Sequence, residues 1–576
     1  MTNHIADEPL TPEVRLSQRR EQQLVILLSL VIGVLVGLVV VAFILLTGRF
    51  AARMYPAHGA AWRRIFIPTI GALVTGYLLY RFFPNARGSG IPQTKFAIFI
   101  SDGYIRLKTV IGKFFCCSLS LASGIALGRE GPSVQIGAGI ASVLGRRFGL
   151  SPANIRALVP AGCSAALAAA FNTPIAAVLF SLEEIMGDLQ TPVLGSVVLS
   201  SATSWMVLHA ILGDEPLFHV PAYHLVHPIE FAIYAVLGIV GGLGSVLFVK
   251  LLLNLRIWFG RLPKSTVWLQ PTIGGLVVGL LGWRMPEVLG VGYDYVERVL
   301  GGDLAIKAVA ALAILKIIAT ATAYSSGNAG GIFGPSLFIG AMIGGTVGGV
   351  AHTLFPNYTA NPGAYALVGM GAAFAGIVRT PMTSVIMIFE LTRDYSIIVP
   401  LMISNLISYV ISYRLQREPI YEALALQEGV YLPTGESRDE LTGIPVREVM
   451  KPRPELLPPD TDVAAAAQRL DASDWNAFPV GEGDRWLGTI TERELDQNKD
   501  TSAKHVSDLL EAEERADPYV YSDHPVSLAL ERMGSAGMDV LPVVSRANIH
   551  EIQGIVTLQD ILTAYGVHRP PAKASK

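Results

Sequence analysis

Charged residues are scarce in this chain of 576 residues, and their scarcity argues against an ordinary soluble protein. Asp, Glu, Lys and Arg make up 16% of the residues and hydrophobic residues 51%, whereas a soluble domain carries about 25% charged residues. Several long runs contain none of the four charged types, and a bilayer is spanned by roughly 20 apolar residues. These runs are residues 24–46, 158–182, 190–213, 231–249, 265–283, 317–378 and 395–413. The sequence therefore predicts a multi-pass membrane protein.

Cysteine is also rare, and the motifs of common enzymes are missing. The three cysteines lie in apolar stretches and have neither metal-site spacing nor the pattern of a disulfide framework. We find no nucleophile–base arrangement and no Gly-x-x-x-x-Gly-Lys loop that would cradle phosphates. The sequence thus predicts no enzyme, no metal site and no required cofactor, and it gives no sign of a nucleic-acid partner.

Composition divides the chain into five segments. Arg15, Arg19 and Arg20 stand just before the first apolar run, and positive charge beside a span favours the cytoplasmic side. Polar residues with Pro433 and Gly435 mark a linker between apolar and mixed sequence. The predicted segments are a cytoplasmic N-terminal segment 1–23, a membrane-embedded domain 24–425, a linker 426–444, a soluble α/β domain 445–568 and a disordered tail 569–576.

Two motifs recur inside the membrane part at nearly the same offset. Gly128-Arg-Glu-Gly-Pro132 matches Gly331-Ile-Phe-Gly-Pro335, and their prolines are 203 residues apart (335 minus 132). Thr173-Pro174 recurs as Thr380-Pro381, 207 residues further on (381 minus 174). This order predicts two homologous halves, and inverted repeats with broken helices are common in secondary transporters. The motifs alone do not distinguish parallel from inverted repeats. Following the transporter precedent, we expect an all-α membrane domain of two inverted repeats.

The glycine–proline interruptions are candidate anion sites. A third one, Gly88-Ser-Gly-Ile-Pro92, precedes the other two. Glycine allows close approach of the backbone, and proline suits the first turn of a helix. A loop followed by a helix start presents free N–H groups and the positive end of the helix dipole, an arrangement that binds anions. Three such starts meeting at one point would bind an anion without a lysine or arginine.

Two glutamates are candidates for proton chemistry. Glu130 lies within the glycine-rich interruption, and an ionisable residue inside a membrane is functional by default because its burial is costly. Glu183 lies nine residues after Pro174, as Glu390 does after Pro381, which indicates a shared scaffold role. Glu184 has Leu391 at the matching place in the other half. It is therefore the better candidate for a specialised role such as proton entry.

These motifs resemble those of the CLC family of chloride channels and proton-coupled chloride antiporters, over residues 24–425. The resemblance implies that the hydroxyls of Ser89 and Tyr421 and the amides of Ile332 and Phe333 bind chloride. It implies that Glu130 is the gating carboxylate. It further implies that Glu184 transfers protons and that protons are the second substrate. The implied protein is a homodimer in a lipid bilayer, with one transport pathway in each subunit. The implied place is a bacterial inner membrane.

The C-terminal domain resembles a tandem CBS pair. Gly488-Thr-Ile-Thr-Glu-Arg-Glu494 recurs as Gly554-Ile-Val-Thr-Leu-Gln-Asp560. In that family a hydroxyl residue and an aspartate contact the ribose of a nucleotide, which implies roles for the residues at those places and allows ATP, ADP or AMP to bind. The candidate nucleotide-binding residues are Thr491, Glu494, Thr557 and Asp560. The module is expected in the cytoplasm, either as a regulator of transport or as a dimer-stabilising unit without a ligand.

Three functions remain open from the sequence. Exchange of chloride against protons is favoured by Glu130 together with Glu184. A passive chloride channel, gated by voltage or pH, would use the same fold. A membrane-anchored CBS nucleotide sensor would need no anion motifs.

Overall fold

The computed structural model describes residues 12–55, 59–189, 193–214, 216–220, 223, 225–429, 444–452, 456–471, 473, 475–498, 505–511 and 517–564. These residues form two compact units, residues 1–432 and 433–576. The predicted tail 569–576 and most of the predicted linker 426–444 lie outside the described residues. The predicted domain boundaries stay predictions.

The described part of the first unit consists of helices joined by loops. In its first half the helices are α1 (Pro12–Met54), α2 (Arg63–Arg81), α3 (Ile91–Ile100), α4 (Leu107–Ala122), α5 (Glu130–Arg147), α6 (Pro152–Phe171), α7 (Pro174–Phe180) and α8 (Leu194–Leu212). A π-helical turn, Ser181–Met186, continues α7. The second half contains α9 (Glu230–Gly260), α10 (Gln270–Arg284), α11 (Tyr293–Gly301), α12 (Ile306–Ser325), α13 (Phe333–Leu354), α14 (Pro362–Ile377), α15 (Pro381–Thr392), α16 (Ile398–Leu415) and α17 (Ile420–Gln427).

Within the described residues, seven helical stretches are long and apolar enough to cross a membrane. They are Arg20–Met54, Pro152–Phe171, Leu194–Leu212, Glu230–Gly260, Ile306–Ser325, Phe333–Leu354 and Tyr395–Gln427. Large apolar side chains remain exposed on them, including Leu247 at 60% and Ile314 at 61% of their surface. Many exposed large apolar side chains are unfavourable in water, and apolar surface of this kind is what lipid covers.

The two halves of this unit pack in the same way. Helix α5 crosses α6 so closely that a Cβ on Gly137 would collide with the carbonyl oxygen of Gly162. In the second half, a Cβ on Gly340 of α13 would likewise collide with the carbonyl oxygen of Gly369 in α14. Small residues allow membrane helices to approach at this distance. The matching contacts agree with the repeat that the motifs indicate.

The second unit combines short strands with short helices. Its strands are β1 (Lys451–Pro452), β2 (Ala477–Glu482), β3 (Arg485–Thr491), β4 (Val520–Tyr521), β5 (Val540–Val544) and β6 (Ile552–Thr557). Its helices are α18 (Val463–Asp471), α19 (Glu492–Asn498), α20 (Val506–Glu511), α21 (Val526–Ala536) and α22 (Leu558–Ala564). One sheet has the order β1-β6-β5-β4, with β4 and β5 parallel, and the other pairs β2 with β3. Every residue of β5 is buried, as expected of a central strand.

Candidate functional site

The three glycine motifs meet at one place in the first unit. Gly128 and Gly331 exchange two backbone hydrogen bonds, each with an N–O distance of 2.7 Å. A Cβ on Gly90 would lie 2.6 Å from the carbonyl oxygen of Gly131, and a Cβ on Gly131 would lie 2.6 Å from that of Ser89. No larger residue fits at these contacts, so the glycines are required for the loops to touch.

Each of these loops leads directly into a helix. Helix α3 begins at Ile91, α5 at Glu130 and α13 at Phe333. Gly90 precedes α3 with a φ of 102°, a left-handed conformation that favours glycine. The first N–H groups of a helix lack partners within it and carry the positive end of its dipole. The structure therefore brings together three helix starts suited to an anion.

Glu130 is fully buried at this junction, and its carboxylate reaches the other half of the molecule. The backbone N–H of Gly334, in the first turn of α13, donates to Glu130 Oε2 at 3.2 Å. The hydroxyl of Tyr293 donates to Glu130 Oε1. Arg129 is a weaker neighbour, with its Nε 4.0 Å from Glu130 Oε1. The carboxylate thus occupies donors that an external anion would also use.

The predicted anion-binding residues are all buried. The Ser89 hydroxyl oxygen accepts from the N–H of Ile91 at 3.3 Å, and Ile332 and Phe333 stand at the start of α13. The hydroxyl of Tyr421 is buried and has no hydrogen-bond partner among the described residues. A buried hydroxyl without a partner is costly. A bound anion would accept its hydrogen, and that orphaned donor therefore fits an anion site.

Glu184 lies in the π-helical turn and is tied to two residues that sequence reasoning missed. Lys95 Nζ donates to Glu184 Oε1 at 2.9 Å and also pairs with Glu422 Oε1. All three side chains are almost completely buried. The signal in the sequence is weak: Lys95 is a single charge in an apolar helix, and Glu422 is the neighbour of Tyr421. The cluster joins α3, the π-helical turn and α17.

Tyr293 was also missed, although it belongs to a fourth glycine loop. Gly290-Val-Gly-Tyr293 stands 202 residues after Gly88-Ser-Gly-Ile91 (290 minus 88). The glycines of both loops have positive φ, 80° and 102° in the first and 62° and 84° in the second. Each loop leads into a helix, α3 or α11. The fourth loop is therefore the repeat partner of the Ser89 loop, but it lacks the proline that marks the others.

A cavity of about 1070 Å³ approaches the Ser89 loop. Its walls include Gly88, Gln93 and Tyr324. Arg256 also lines it and pairs with Glu428. Because the cavity contacts the loop that carries Ser89, it is a suitable approach for a small hydrophilic ion.

In the second unit, each candidate threonine bonds to the acid three residues later. Glu494 Oε2 accepts from the N–H and hydroxyl of Thr491 at 2.8 and 2.9 Å. Asp560 Oδ2 accepts from the N–H and hydroxyl of Thr557 at 3.3 and 2.6 Å. Lys451 Nζ lies 2.9 Å from the other oxygen of Asp560. The longer side chain of Glu494 therefore makes the same local contact as the aspartate.

Comparison with known families decides what this architecture is. A family model described as "Voltage gated chloride channel" matches residues 70–413. The chain belongs to this family. A second model, described as "CBS domain", matches residues 446–497 and 506–566. Both predicted resemblances are thereby confirmed.

Several curated members of the chloride channel family are similar over most of their length. The chain is 34% identical over 366 residues to "Putative chloride channel protein ClcB-like" of Ralstonia nicotianae, covering 62% of this chain and 85% of that protein. It is 33% identical over 426 residues to "H(+)/Cl(-) exchange transporter ClcA" of Salmonella arizonae, covering 71% and 90%. Since these relatives are channels and transporters, the prediction that the chain is not an enzyme is confirmed.

Solved structures of the family share the fold. One is titled "X-ray crystal structure of a slow cyanobacterial Cl-/H+ antiporter"; it has a TM-score of 0.63 and 26% identity and covers 70% of this chain and 97% of that chain. Another, "Crystal Structure of a eukaryotic CLC transporter", has a TM-score of 0.68 and 22% identity and covers 94% and 98%. The predicted fold class, a helical CLC-like membrane domain followed by a CBS pair, is confirmed, as is the multi-pass membrane character.

Proposed function

We propose that this protein transports chloride across a membrane in exchange for protons. The observation that carries the proposal is the buried Glu130 carboxylate, which occupies donors at a junction of three helix starts. A fixed anion in such a site competes with a diffusible one, and protonation removes its charge. The names of the curated relatives, channels and proton–chloride exchangers, support the same class of function.

Chloride would take the place prepared by backbone and hydroxyl donors. The amides of Ile332 and Phe333, at the start of α13, and the hydroxyls of Ser89 and Tyr421 would donate to it. Helix starts favour negative charge through their free N–H groups and dipoles. This donor set holds an anion without a permanent positive charge, so binding stays weak enough for release.

Glu130 would act as the gate. In the present conformation its Oε2 takes the Gly334 N–H at the start of α13. When a proton neutralises the carboxyl, its attraction to that helix start falls and chloride can replace it. Glu184 is paired with Lys95 of α3, the helix that follows the Ser89 loop, and would supply or accept that proton.

The test is chloride efflux from proteoliposomes with simultaneous recording of external pH. In the wild-type protein, an imposed chloride gradient is expected to drive protons in the direction opposite to the chloride flow. Glu130→Ala and Glu184→Ala should keep chloride flux and lose proton movement. Glu297→Ala, whose side chain is 38% exposed and pairs with His219, should behave as wild type. If a chloride gradient never drives protons in the wild type, exchange is refuted.

A passive chloride channel, gated by voltage or pH, is the second candidate. The name of the Ralstonia relative, a putative chloride channel protein, favours it. Bilayer recordings separate the two functions, because a channel current reverses at the chloride equilibrium potential and an exchanger current is displaced by the proton gradient.

We further propose a regulatory arrangement for the whole chain. Residues 24–425 would span a bacterial inner membrane as a homodimer with one pathway per subunit. The N-terminus and the CBS pair, residues 445–568, would face the cytoplasm. ATP, ADP or AMP would bind the CBS pair through Thr491, Glu494, Thr557 and Asp560, whose matching threonine–acid contacts support this assignment. Calorimetric titration of the full chain with each nucleotide tests it, with Asp560→Ala expected to weaken binding.

A further inference from the structure

Lys95 holds two carboxylates from different helices in one buried cluster. Its Nζ lies 2.9 Å from Glu184 Oε1 and also contacts Glu422 Oε1. The side chains of Lys95, Glu184 and Glu422 are only 6%, 5% and 8% exposed. Helix α17 packs on α3 and so does the π-helical turn, which explains how three distant segments meet.

The charges of this cluster do not balance when all three groups are ionised. Two carboxylates face one ammonium, and among the described residues no second cation forms an ion pair with either acid. The other ionisable neighbours are Glu183 and Tyr421. Glu183 adds no positive charge and is bound to the start of α15. A buried net charge is expensive. The cluster is neutral when the two carboxyls hold one proton between them.

A second observation points to Glu422 as a carrier of that proton. Its Oε1 is engaged by Lys95, while its Oε2 is buried and has no hydrogen-bond partner within the described part of the chain. A carboxylate oxygen without a donor is poorly stabilised when ionised. Protonation at Oε2 removes that cost and leaves the contact of Oε1 with Lys95 in place.

We propose that Glu422 and Glu184 share one proton across Lys95 and act together as the inner proton acceptor of the exchange cycle. This inference rests on the proposed proton exchange. A hydronium ion from the water gives its proton to Glu422 Oε2 and is left as a water molecule. The carboxyl group then turns so that its O–H faces Lys95. Lys95 then gives one N–H proton to Glu184 and regains one from Glu422. One carboxyl O–H bond breaks and another forms, so the total charge of the cluster is unchanged.

Infrared difference spectroscopy of the full-length protein in lipid tests the shared proton directly. Wild type is expected to show the C=O band of a protonated carboxyl near neutral pH that both Glu422→Gln and Glu184→Gln remove. Each variant leaves one carboxylate paired with Lys95, and such a pair is already neutral. Lys95→Met should instead increase the band, because two carboxyls without a cation both take up protons. A band that survives in Glu184→Gln overturns the proposal, even if Glu422→Gln does not fold.

Transport by the same variants provides the second test. Glu422→Gln is expected to retain chloride flux, to lower the number of protons moved per chloride and to flatten the pH profile of exchange. The matched control is Glu418→Gln, just before the start of the same helix, which removes a charge that lies 3.7 Å from the exposed Arg417. Wild-type coupling in Glu422→Gln would refute the shared acceptor. Absence of proton movement in the wild type, with the infrared band present, would refute the exchange function and leave the cluster intact.

Discussion

Lys113 and Lys316 are equivalent lysines of the two halves, 203 residues apart (316 minus 113), and each binds the backbone of a glycine loop. Lys113 Nζ donates to the carbonyl oxygens of Ala86 and Gly88 at 3.1 and 2.7 Å. Lys316 Nζ donates to those of Val288 and Gly290 at 3.0 and 2.7 Å. Both lysines are completely buried. They fix the loops that carry Ser89 and Tyr293.

Replacing either lysine by methionine should loosen its loop. Lys113→Met leaves three carbonyl oxygens without their donor, those of Ala86, Arg87 and Gly88, and Lys316→Met leaves two. A hydrogen bond to a charged group contributes about 1.5–3 kcal/mol. Relief from burying the ammonium offsets part of this loss, so we expect each variant to lose about 2 kcal/mol of stability. Thermal unfolding in detergent measures the effect, with the exposed Lys250→Met as control. Unchanged stability in both variants would contradict the role of the lysines.

Glu183 and Glu390 are equivalent glutamates of the two halves, and each binds the start of a helix in the other half. Glu183 accepts from the N–H groups of Met382 and Thr383 at the start of α15, at 3.2 and 2.8 Å. Glu390 accepts from those of Ile175 and Ala176 at the start of α7, at 2.9 and 2.7 Å. Glu183 therefore caps α15, the helix that contains Glu390. Glu390 in turn caps α7, the helix that leads to Glu183.

Neutralising either cap should cost a similar amount of stability. A carboxylate at a helix start contributes about 0.3–1 kcal/mol, and up to about 2 kcal/mol when partly buried. Glu183→Gln and Glu390→Gln are each expected to lower the unfolding temperature by a comparable step and to keep proton coupling. Thermal unfolding and proteoliposome exchange provide the two measurements. A large loss in one variant alone would show that the caps are not equivalent.

The repeat and the anion loops could be predicted because each is encoded by a motif of a few neighbouring residues. Glycine–proline spacing identified the loops of Ser89, Glu130 and Phe333, and apolar runs identified the membrane part. The contacts between halves could not be predicted in this way. Glu183 and its partner Thr383 are 200 residues apart, and nothing local indicates that pairing.

Tyr293 and Lys95 show two other limits of the sequence. The Tyr293 loop has Asp294 where its repeat partner has Pro92, so the match was hidden by one substitution. Lys95 is a lone charge in an apolar helix, and its two acids come from the π-helical turn and from α17. Pairing of buried charges depends on which helices pack together, which composition does not specify.

The CBS unit should lose stability in acid through His524. Burial lowers the pKa of His524 below its ordinary value of 6.5, and the nearby Arg532 and Arg546 lower it further. The N–H of Tyr521 donates to His524 Nδ1 at 3.3 Å, which requires a neutral ring. The unfolded chain therefore binds a proton more readily than the folded one. Stability is unaffected above the ordinary pKa and falls as the pH drops from it toward the folded pKa.

Hydrogen exchange of β4 and β5 in the full chain checks this pH dependence. After correction for intrinsic exchange rates, their protection should be lower at about pH 5.5 than at about pH 7.5, the range around an ordinary histidine pKa. His524→Gln should remove the difference, whereas His550→Gln, a histidine whose ring contacts the Trp486 carbonyl, should keep it. Equal protection at both pH values in the wild type would refute the assignment.

The hydroxyl of Tyr293 should restrain the Glu130 carboxylate. It donates to Glu130 Oε1, and the ring of Tyr293 lies 5.5 Å from the guanidinium of Arg129 and packs against Phe218. Tyr293→Phe keeps the ring and removes only the hydrogen bond. A bond to a charged acceptor contributes about 1.5–3 kcal/mol, so freeing Glu130 should raise the chloride exchange rate about tenfold or more.

Exchange measured over a range of pH distinguishes this restraint from a packing effect. Tyr293→Phe is expected to speed exchange while protons and chloride remain coupled, because Glu130 and Glu184 are both intact. In a Glu130→Gln background, which has no ionised carboxylate to restrain, the same Tyr293→Phe substitution should have little effect. Tyr295→Phe, two residues along α11, is the control and should leave the rate unchanged. An equal acceleration with and without the Glu130 carboxylate would mean that Tyr293 acts through packing rather than through its hydrogen bond.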